Sequence, residues 1–201
     1  MSVAPIDEVP ARALVVTAHP DDVDFGAAGT VASWVAQGTR VTYCIVTDGD
    51  AGGFDPAVPR SEIPRIRRAE QVAAARILGV EDVRFLGYRD GELEVTQGLR
   101  RDISRIIREV RPERMLIQSP DRNWNRLQSS HPDHLAAGEA AIAAAIMKPA
   151  AMPARPTRTD PTFFIRFLSL HSQYFADQRT GFALDYRIAH QFAVGDPSRD
   201  P

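Results

Sequence analysis

The chain has 201 residues, 44% hydrophobic and 25% charged, which allows one domain with a real core plus a short extension and excludes a wholly disordered polymer. Lys and Arg number 24 against 26 Asp and Glu, a formal net charge of −2, so the basic excess of a nucleic-acid binder is absent. The one cysteine, Cys44, excludes an intrachain disulfide and suits a cytoplasmic setting; no apolar run nears the roughly 20 residues of a membrane span, and residues 1–10 carry no basic signal-peptide start.

Residues 13–18 (ALVVTA) form a short apolar run that reads as a buried strand. Val31 to Gln37 follow a helical pattern that Gly38 is placed to end. Val41 to Thr47 (VTYCIVT) are β-branched and aromatic, a second strand. The stretch from Asp48 toward Pro64, rich in glycine, proline and acids, reads as a loop. A helix with one apolar face is predicted over Ile63 to Leu78, capped by Gly79, then a third strand over Val83 to Tyr88. Leu99 to Val110 have helical spacing and stop before Pro112; Arg114 to Gln118 make a fourth strand; His134 to Met147 are alanine-rich and helical. Strand and helix thus alternate, the pattern of βαβ units around a parallel sheet. Ligands of such sheets bind beyond the carboxyl ends of the strands, which selects the loops to inspect.

Two histidine motifs fall there. Ala18-His19-Pro20-Asp21-Asp22 follows the first strand, and His131-Pro132-Asp133-His134 follows the fourth strand and its loop. His19 and Asp22, three apart, with a histidine from another strand end, make three ligands of the kind a catalytic zinc uses while keeping a fourth position for water. Asp21, beside a ligand, is free to point elsewhere and take a proton, and His131, one turn before His134, to face the leaving group or a developing oxyanion. Capping is the competing explanation: Asp21, Asp22 and Asp133 are all residue types favoured at helix starts. No G-x-G-x-x-G follows the first strand, so a dinucleotide site is disfavoured.

AHPDD after the first strand and HPDH after the fourth resemble the PIG-L/LmbE deacetylases. VTYCIVTDGDAGG, IRRAEQVAAARILGV, VRFLGYRDGEL and SHPDHLAAGEA extend the resemblance over residues 12–147. The resemblance implies an α/β, Rossmann-like three-layer sandwich with a mostly parallel sheet and helices on both faces. It implies one Zn(2+) held by His19, Asp22 and His134, with other divalent metals able to substitute. Asp21 matches the general base and His131 the histidine that stabilises the oxyanion or protonates the leaving amine. Arg67 and Asp90 match substrate-contacting positions, with Arg68 the neighbour that competes for the role. Asp48, at the same rim, is a candidate to orient a ligand histidine. The implied reaction is hydrolysis of an N-acetyl amide on an amino-sugar small molecule, inositol- or thiol-conjugated in some members. A homo-oligomer is compatible with this reading; nucleic-acid binding and membrane insertion are not expected.

Two departures stand out. Val23 and then Asp24 follow the first motif, where the family usually continues with glutamate, and Ser129 stands where some members have an aromatic residue. Beyond Met147, residues 148–161 (KPAAMPARPTRTDP) read as a proline-rich linker. Residues 163–170 (FFIRFLSL) suit a strand or a buried helix, while LSLHSQ (168–173) and IAHQF (188–192) only loosely resemble later family motifs. The expected organisation is a deacetylase domain over 1–147, the linker over 148–161 and a divergent C-terminal segment over 162–201. His171 and His190 are expected to be tail residues, Cys44 a core residue, and Trp124 a packing or pocket residue of its loop. An altered C-terminal pocket wall defines a second reading, a relative that binds metal or sugar without turnover.

Overall fold

The structure, a computed structural model, describes residues 9–53, 55–125 and 127–146 and the backbone of 166–170. The expected linker 148–161, the expected tail histidines His171 and His190 and the side chain of Ser129 lie outside the described residues. The strands are β1 (Arg12–Thr17), β2 (Arg40–Thr47), β3 (Asp82–Tyr88), β4 (Arg114–Gln118) and β5 (Arg166–Leu170). They form one sheet in the order β3-β2-β1-β4-β5, with every neighbouring pair parallel. The helices are α1 (Asp22–Gly26), α2 (Ala28–Ala36), α3 (Ile63–Ile77), α4 (Gln97–Val110) and α5 (Pro132–Ile146). None of the described helices is long and apolar enough to cross a membrane.

The side-chain alternation of a strand sorts the core into two layers. Leu14 and Val16 of β1, with Cys44, Met115 and Ile117, pack against Leu99 and Ile103 of α4 and the alanine face of α5. Ala13 and Val15, with Tyr43, Ile45 and Leu116, face Val23 of α1, Val31 and Trp34 of α2 and Ala75 of α3. β1 is therefore buried on both faces, which is why it reads as an unbroken apolar run rather than an alternating one. Each fully buried Leu or Ile in these layers contributes about 1.5–3 kcal/mol relative to exposure.

Helix α5 lies unusually close to the sheet. A Cβ built on Gly138 would fall inside van der Waals contact of the Gln118 carbonyl oxygen, 3.0 Å from its carbon and 3.1 Å from Pro120 N. The absence of a side chain there is what lets the helix approach the end of β4.

The boundaries refine the sequence reading. The run predicted over 31–37 is the second part of a longer helical stretch: α1 begins inside the first histidine motif and is offset from α2 at Ala27, where φ is −147°. α5 starts at Pro132, two residues before the predicted start, because proline's fixed φ suits a first helical position. Of the two options for 163–170, residues Arg166–Leu170 take the strand. The order places β1 beside β4, although the chain leaves β1 toward β2 and returns on the other side. That is a topological switch point, and both histidine motifs follow the two strands that flank it.

Candidate metal centre

The first motif is anchored before it begins. Ala18 donates its N–H to Gln118 Oε1 of β4 (2.8 Å) and accepts from Thr47 N–H of β2 (2.7 Å), so the chain leaves β1 in a direction set by both neighbours. Asp22 Oδ2 then accepts the backbone N–H of His19 at 2.7 Å, closing a tight turn that brings the two side chains together. His134, in the first turn of α5, completes the cluster. His19 Nδ1 and His134 Nε2 are 3.2 Å apart, His134 Nε2 and Asp22 Oδ1 3.1 Å, and His19 Nδ1 and Asp22 Oδ2 3.4 Å.

These spacings test the fit of a metal. Ligand atoms about 2.0–2.1 Å from a tetrahedral zinc lie about 3.3 Å from one another; the separations here are of that size, with His134 facing Asp22 Oδ1 and His19 facing Oδ2. The electrostatics agree. Burial opposes protonation of His19, but Asp22, Asp90 and Asp133 outweigh it and raise its pKa to about 9. Burial likewise opposes ionisation of Asp22, yet His134 and His19 hold its carboxyl well below the usual range. The carboxylates of Asp22, Asp90 and Asp133 around His19 stabilise positive charge there, whether a proton or a metal cation.

A second layer of groups orients His19. Its Nε2 lies 2.9 Å from Asp90 Oδ1 and 3.2 Å from Asp133 Oδ2. In the neutral ring, the form a metal would bind, an Nε2–H donated to these carboxylates leaves Nδ1 as the lone-pair nitrogen facing Asp22 and His134. Asp133 is fully buried and also accepts the Gly91 N–H (2.7 Å) and the Leu93 N–H (3.3 Å). It thus ties the loop after β3 to the start of α5. Among the described residues, two sets have one ligand atom from each member all within 4.8 Å of one another, His19 with His131 and His134, and His19 with Asp90 and Asp133. The second of these uses the Nε2 face that the carboxylates hold as a donor.

His131 stands edge-on to His19, ring centroids 4.9 Å apart. Its Nδ1 accepts the Asp133 N–H at 3.2 Å, which leaves the proton of the neutral ring on Nε2. Burial and the positive charge of His19 lower its pKa below the usual value. His131 therefore presents an N–H donor at the edge of the cluster.

Asp21 is built differently from Asp22. Its backbone is left-handed, φ 90° and ψ −23°, a conformation that costs a residue with a Cβ about 1–3 kcal/mol unless its surroundings hold it. Its carboxylate is paired with Arg67 of α3, which also donates to the Pro20 carbonyl (3.0 Å) and to Glu70 (2.8 Å). The Asp21 N–H donates to Gln71 Oε1 at 2.6 Å. Burial raises the pKa of Asp21 while Arg67 works against the rise. Neither Asp21 nor Asp22 makes a side-chain cap to α1, so capping does not account for the paired aspartates.

Of the expected site residues, His19, Asp22, His131 and His134 come together, and Asp21 lies beside them. Arg67 reaches the first motif; Arg68 instead pairs with Asp48 (2.6 Å) and stacks over Phe85. Asp48 was expected against a ligand histidine, but its carboxylate is taken by Arg68 because β2 ends one sheet position away from the switch point. Among the described residues, Asp90 and Asp133 hold His19 instead. Asp90, expected on the substrate, is 14% exposed and faces His19. Trp124 is 78% exposed, with Arg122 over its ring, and packs no core. A cavity of about 210 Å³ opens beside Arg67, walled by Val58, Ile63, Ile66 and Glu70.

Gln71 and the roles of Asp133 and Asp90 on His19 went unread in the sequence. For Gln71 a signal existed: Ile63, Gln71 and Ala75 form the buried stripe of α3, and a polar residue on such a stripe needs a partner.

Comparison with known proteins gives concordant findings. The PIG-L family model, described as GlcNAc-PI de-N-acetylase, matches residues 14–145. The chain is 34% identical over 164 residues to a Bacillus anthracis protein named probable N-acetyl-alpha-D-glucosaminyl L-malate deacetylase 2, covering 79% of this chain and 67% of that one. It is 35% identical over 183 residues to 1D-myo-inositol 2-acetamido-2-deoxy-alpha-D-glucopyranoside deacetylase of Streptomyces scabiei, covering 78% and 54%. The structure of N,N'-diacetylchitobiose deacetylase from Pyrococcus horikoshii superposes with a TM-score of 0.63 at 34% identity, covering 67% of this chain and 49% of that one. The chain spans about half to two thirds of the length of the curated relatives it matches.

Proposed function

Because the chain belongs to the PIG-L family, we propose that it is a metal-dependent hydrolase that removes the N-acetyl group from an N-acetylglucosamine-type small molecule. The observation that carries this reading is the convergence of His19, Asp22 and His134, with donor atoms 3.1–3.4 Å apart, from the two strand ends that flank the switch point. The relatives are named for malate- and inositol-linked N-acetylglucosamine and for diacetylchitobiose. The acetylated glucosamine is the shared unit and the attached group varies, so the acetamide is the part we assign to the reacting centre.

In this reading His19 Nδ1, His134 Nε2 and the Asp22 carboxylate hold one Zn(2+) per chain. Bound there, zinc supplies an acidified water at neutral pH and a Lewis acid for the acetyl carbonyl. Asp90 and Asp133 keep the His19 proton on Nε2. Asp21 takes the proton released as water adds to the acetyl carbon; its burial makes it a better base than a solvated carboxylate. His131 directs its Nε2–H to the oxygen where negative charge develops. The C–N bond then breaks, the nitrogen takes a proton from this acid–base pair, and acetate and the free amine leave. Arg67, which pairs with Asp21 and also lines the cavity with Ile63 and Ile66, is the residue we assign to contact sugar or inositol hydroxyls.

The test combines metal analysis with acetate release from N-acetylglucosaminyl-inositol, N-acetylglucosaminyl-malate and diacetylchitobiose. About one metal per chain with chelator-sensitive release supports the proposal. Metal without release from any of the three would instead favour a relative that binds without turnover. Folded protein that takes up no metal would overturn the ligand assignment.

A further inference from the structure

We infer that Gln71 is a positioning residue for Asp21, acting on its peptide group rather than on its carboxylate. The inference rests on Asp21 being the base proposed above. Arg67 and Gln71 are four apart on α3 and so share one face of the helix. Arg67 Nη2 donates to the carbonyl of Pro20 at 3.0 Å, and Gln71 Oε1 accepts the N–H of Asp21 at 2.6 Å. These are the two polar ends of one peptide unit, and in a trans peptide they point in opposite directions. Two side chains one helical turn apart therefore grip that unit at both ends.

The grip falls where the backbone most needs it. Asp21 is the residue with φ 90°, and the rotation sends its carboxylate to Arg67 while Asp22 turns to the two histidines. The orientation of the Gln71 amide is also fixed. Its Nε2 donates to Asp24 Oδ2 at 3.3 Å, so Oε1 is the atom left for Asp21. Gln71 is 1% exposed, and water does not replace it readily as an acceptor. Asp24, two positions past the paired aspartates, thus acts at one remove on the same peptide.

Gln71→Leu keeps the volume and removes the acceptor. The expected result is a fall in kcat of about 10–100-fold with KM and metal content unchanged, the loss typical of a reacting group displaced by a fraction of an ångström. The Asp21 amide should lose its downfield proton shift and its protection from hydrogen exchange, while the β1 and β2 amides keep theirs. Gln71→Glu retains the acceptor for the Asp21 N–H but sets a second carboxylate against Asp24, and Gln71→Glu combined with Asp24→Asn restores the hydrogen bond between positions 71 and 24 with donor and acceptor exchanged, while the Asp21 N–H still donates to position 71. The double variant should recover most of the lost kcat and the amide signature, which a residue needed only for packing would not do. An unshifted Asp21 amide in Gln71→Leu, or kcat within twofold of wild type, overturns the inference. If the wild-type chain releases no acetate, the deacetylase reading fails by itself and the amide signature alone decides the role of Gln71. If Gln71→Leu does not fold, the single and double Glu variants carry the comparison, and equal behaviour of the two overturns the inference.

Discussion

Gly138 lies one helical turn beyond His134 on α5, with its Cα against the end of β4. A methyl group there would meet the Gln118 carbonyl carbon at 3.0 Å and Pro120 N at 3.1 Å, both backbone atoms that cannot rotate away. The Gln118 carbonyl oxygen lies nearer still, and ordinary carbon contacts begin near 3.5 Å, so Gly138→Ala requires α5 to move out by about 1 Å. Two terms compete. Alanine in a helix interior gains about 0.5–1 kcal/mol over glycine, and overpacking a well-packed site costs about 1–3 kcal/mol. With rigid backbone opposing the methyl, the upper end of that range applies, and the net loss should be about 2 kcal/mol. For a domain of this size that lowers Tm by about 4–8 °C. The displacement also matters at the site, because ligand distances tolerate only about ±0.2 Å and His134 rides on the same helix. Zinc affinity, read by competition with a chromophoric chelator, should fall about 10–100-fold. A Gly138→Ala protein as stable as wild type, with unchanged zinc affinity, would refute the argument that the missing side chain sets the distance between α5 and the sheet.

Other outcomes follow from the same geometry. Asp21→Asn should retain metal, as measured by elemental analysis, and lose at least about 10²-fold in kcat; full activity would remove Asp21 as the base. His134→Ala should lower metal content itself, and stoichiometric metal in that variant would break the ligand set. Thr96 Oγ1 accepts the Leu99 N–H at 3.1 Å at the start of α4, so Thr96→Ala should cost about 1 kcal/mol in urea unfolding without altering metal content. Burial pushes the Cys44 thiol up to about 12, so the thiolate needed for alkylation is scarce at pH 8 and rises only as pH approaches that value. Native protein should resist iodoacetamide and react after denaturation; fast native labelling would contradict the buried placement.

β1, β2 and β4 were legible because a central parallel strand is apolar on both faces and its pattern is hard to mistake: Arg114–Gln118 was read to the residue, and the other two within one. The histidines of the site were legible because the carboxyl-end rule points to the two loops that hold them. α1 was not, since five residues with acids at the first and third positions and a glycine at the last give no helical period. The outer carboxylates were not, because the approach of Asp90 and Asp133 to His19 depends on how the loop after β3 folds over α5, which no local spacing encodes. The pairing of Arg67 with Asp21, and of Arg68 with Asp48, is a matter of which face of α3 each occupies. Adjacent arginines point about 100° apart on a helix, and the side that meets the sheet is set by tertiary packing.

His19 and His134 are 115 residues apart in the chain yet 3.2 Å apart in the fold. A zinc finger gathers its ligands from one segment of about 20–25 residues. Here no short segment carries the set, and the pocket for the cation comes into being only when β1 has paired with β4 and α5 has docked. A bound ion would therefore have little affinity for the unfolded chain, and its binding free energy would add almost wholly to the folded state. At a free concentration 1,000 times the dissociation constant that amounts to about 4 kcal/mol. In that sense occupancy of the proposed centre would be a readout of completed topology, and a chelator would act on the metal-loaded chain as a denaturant of bounded strength.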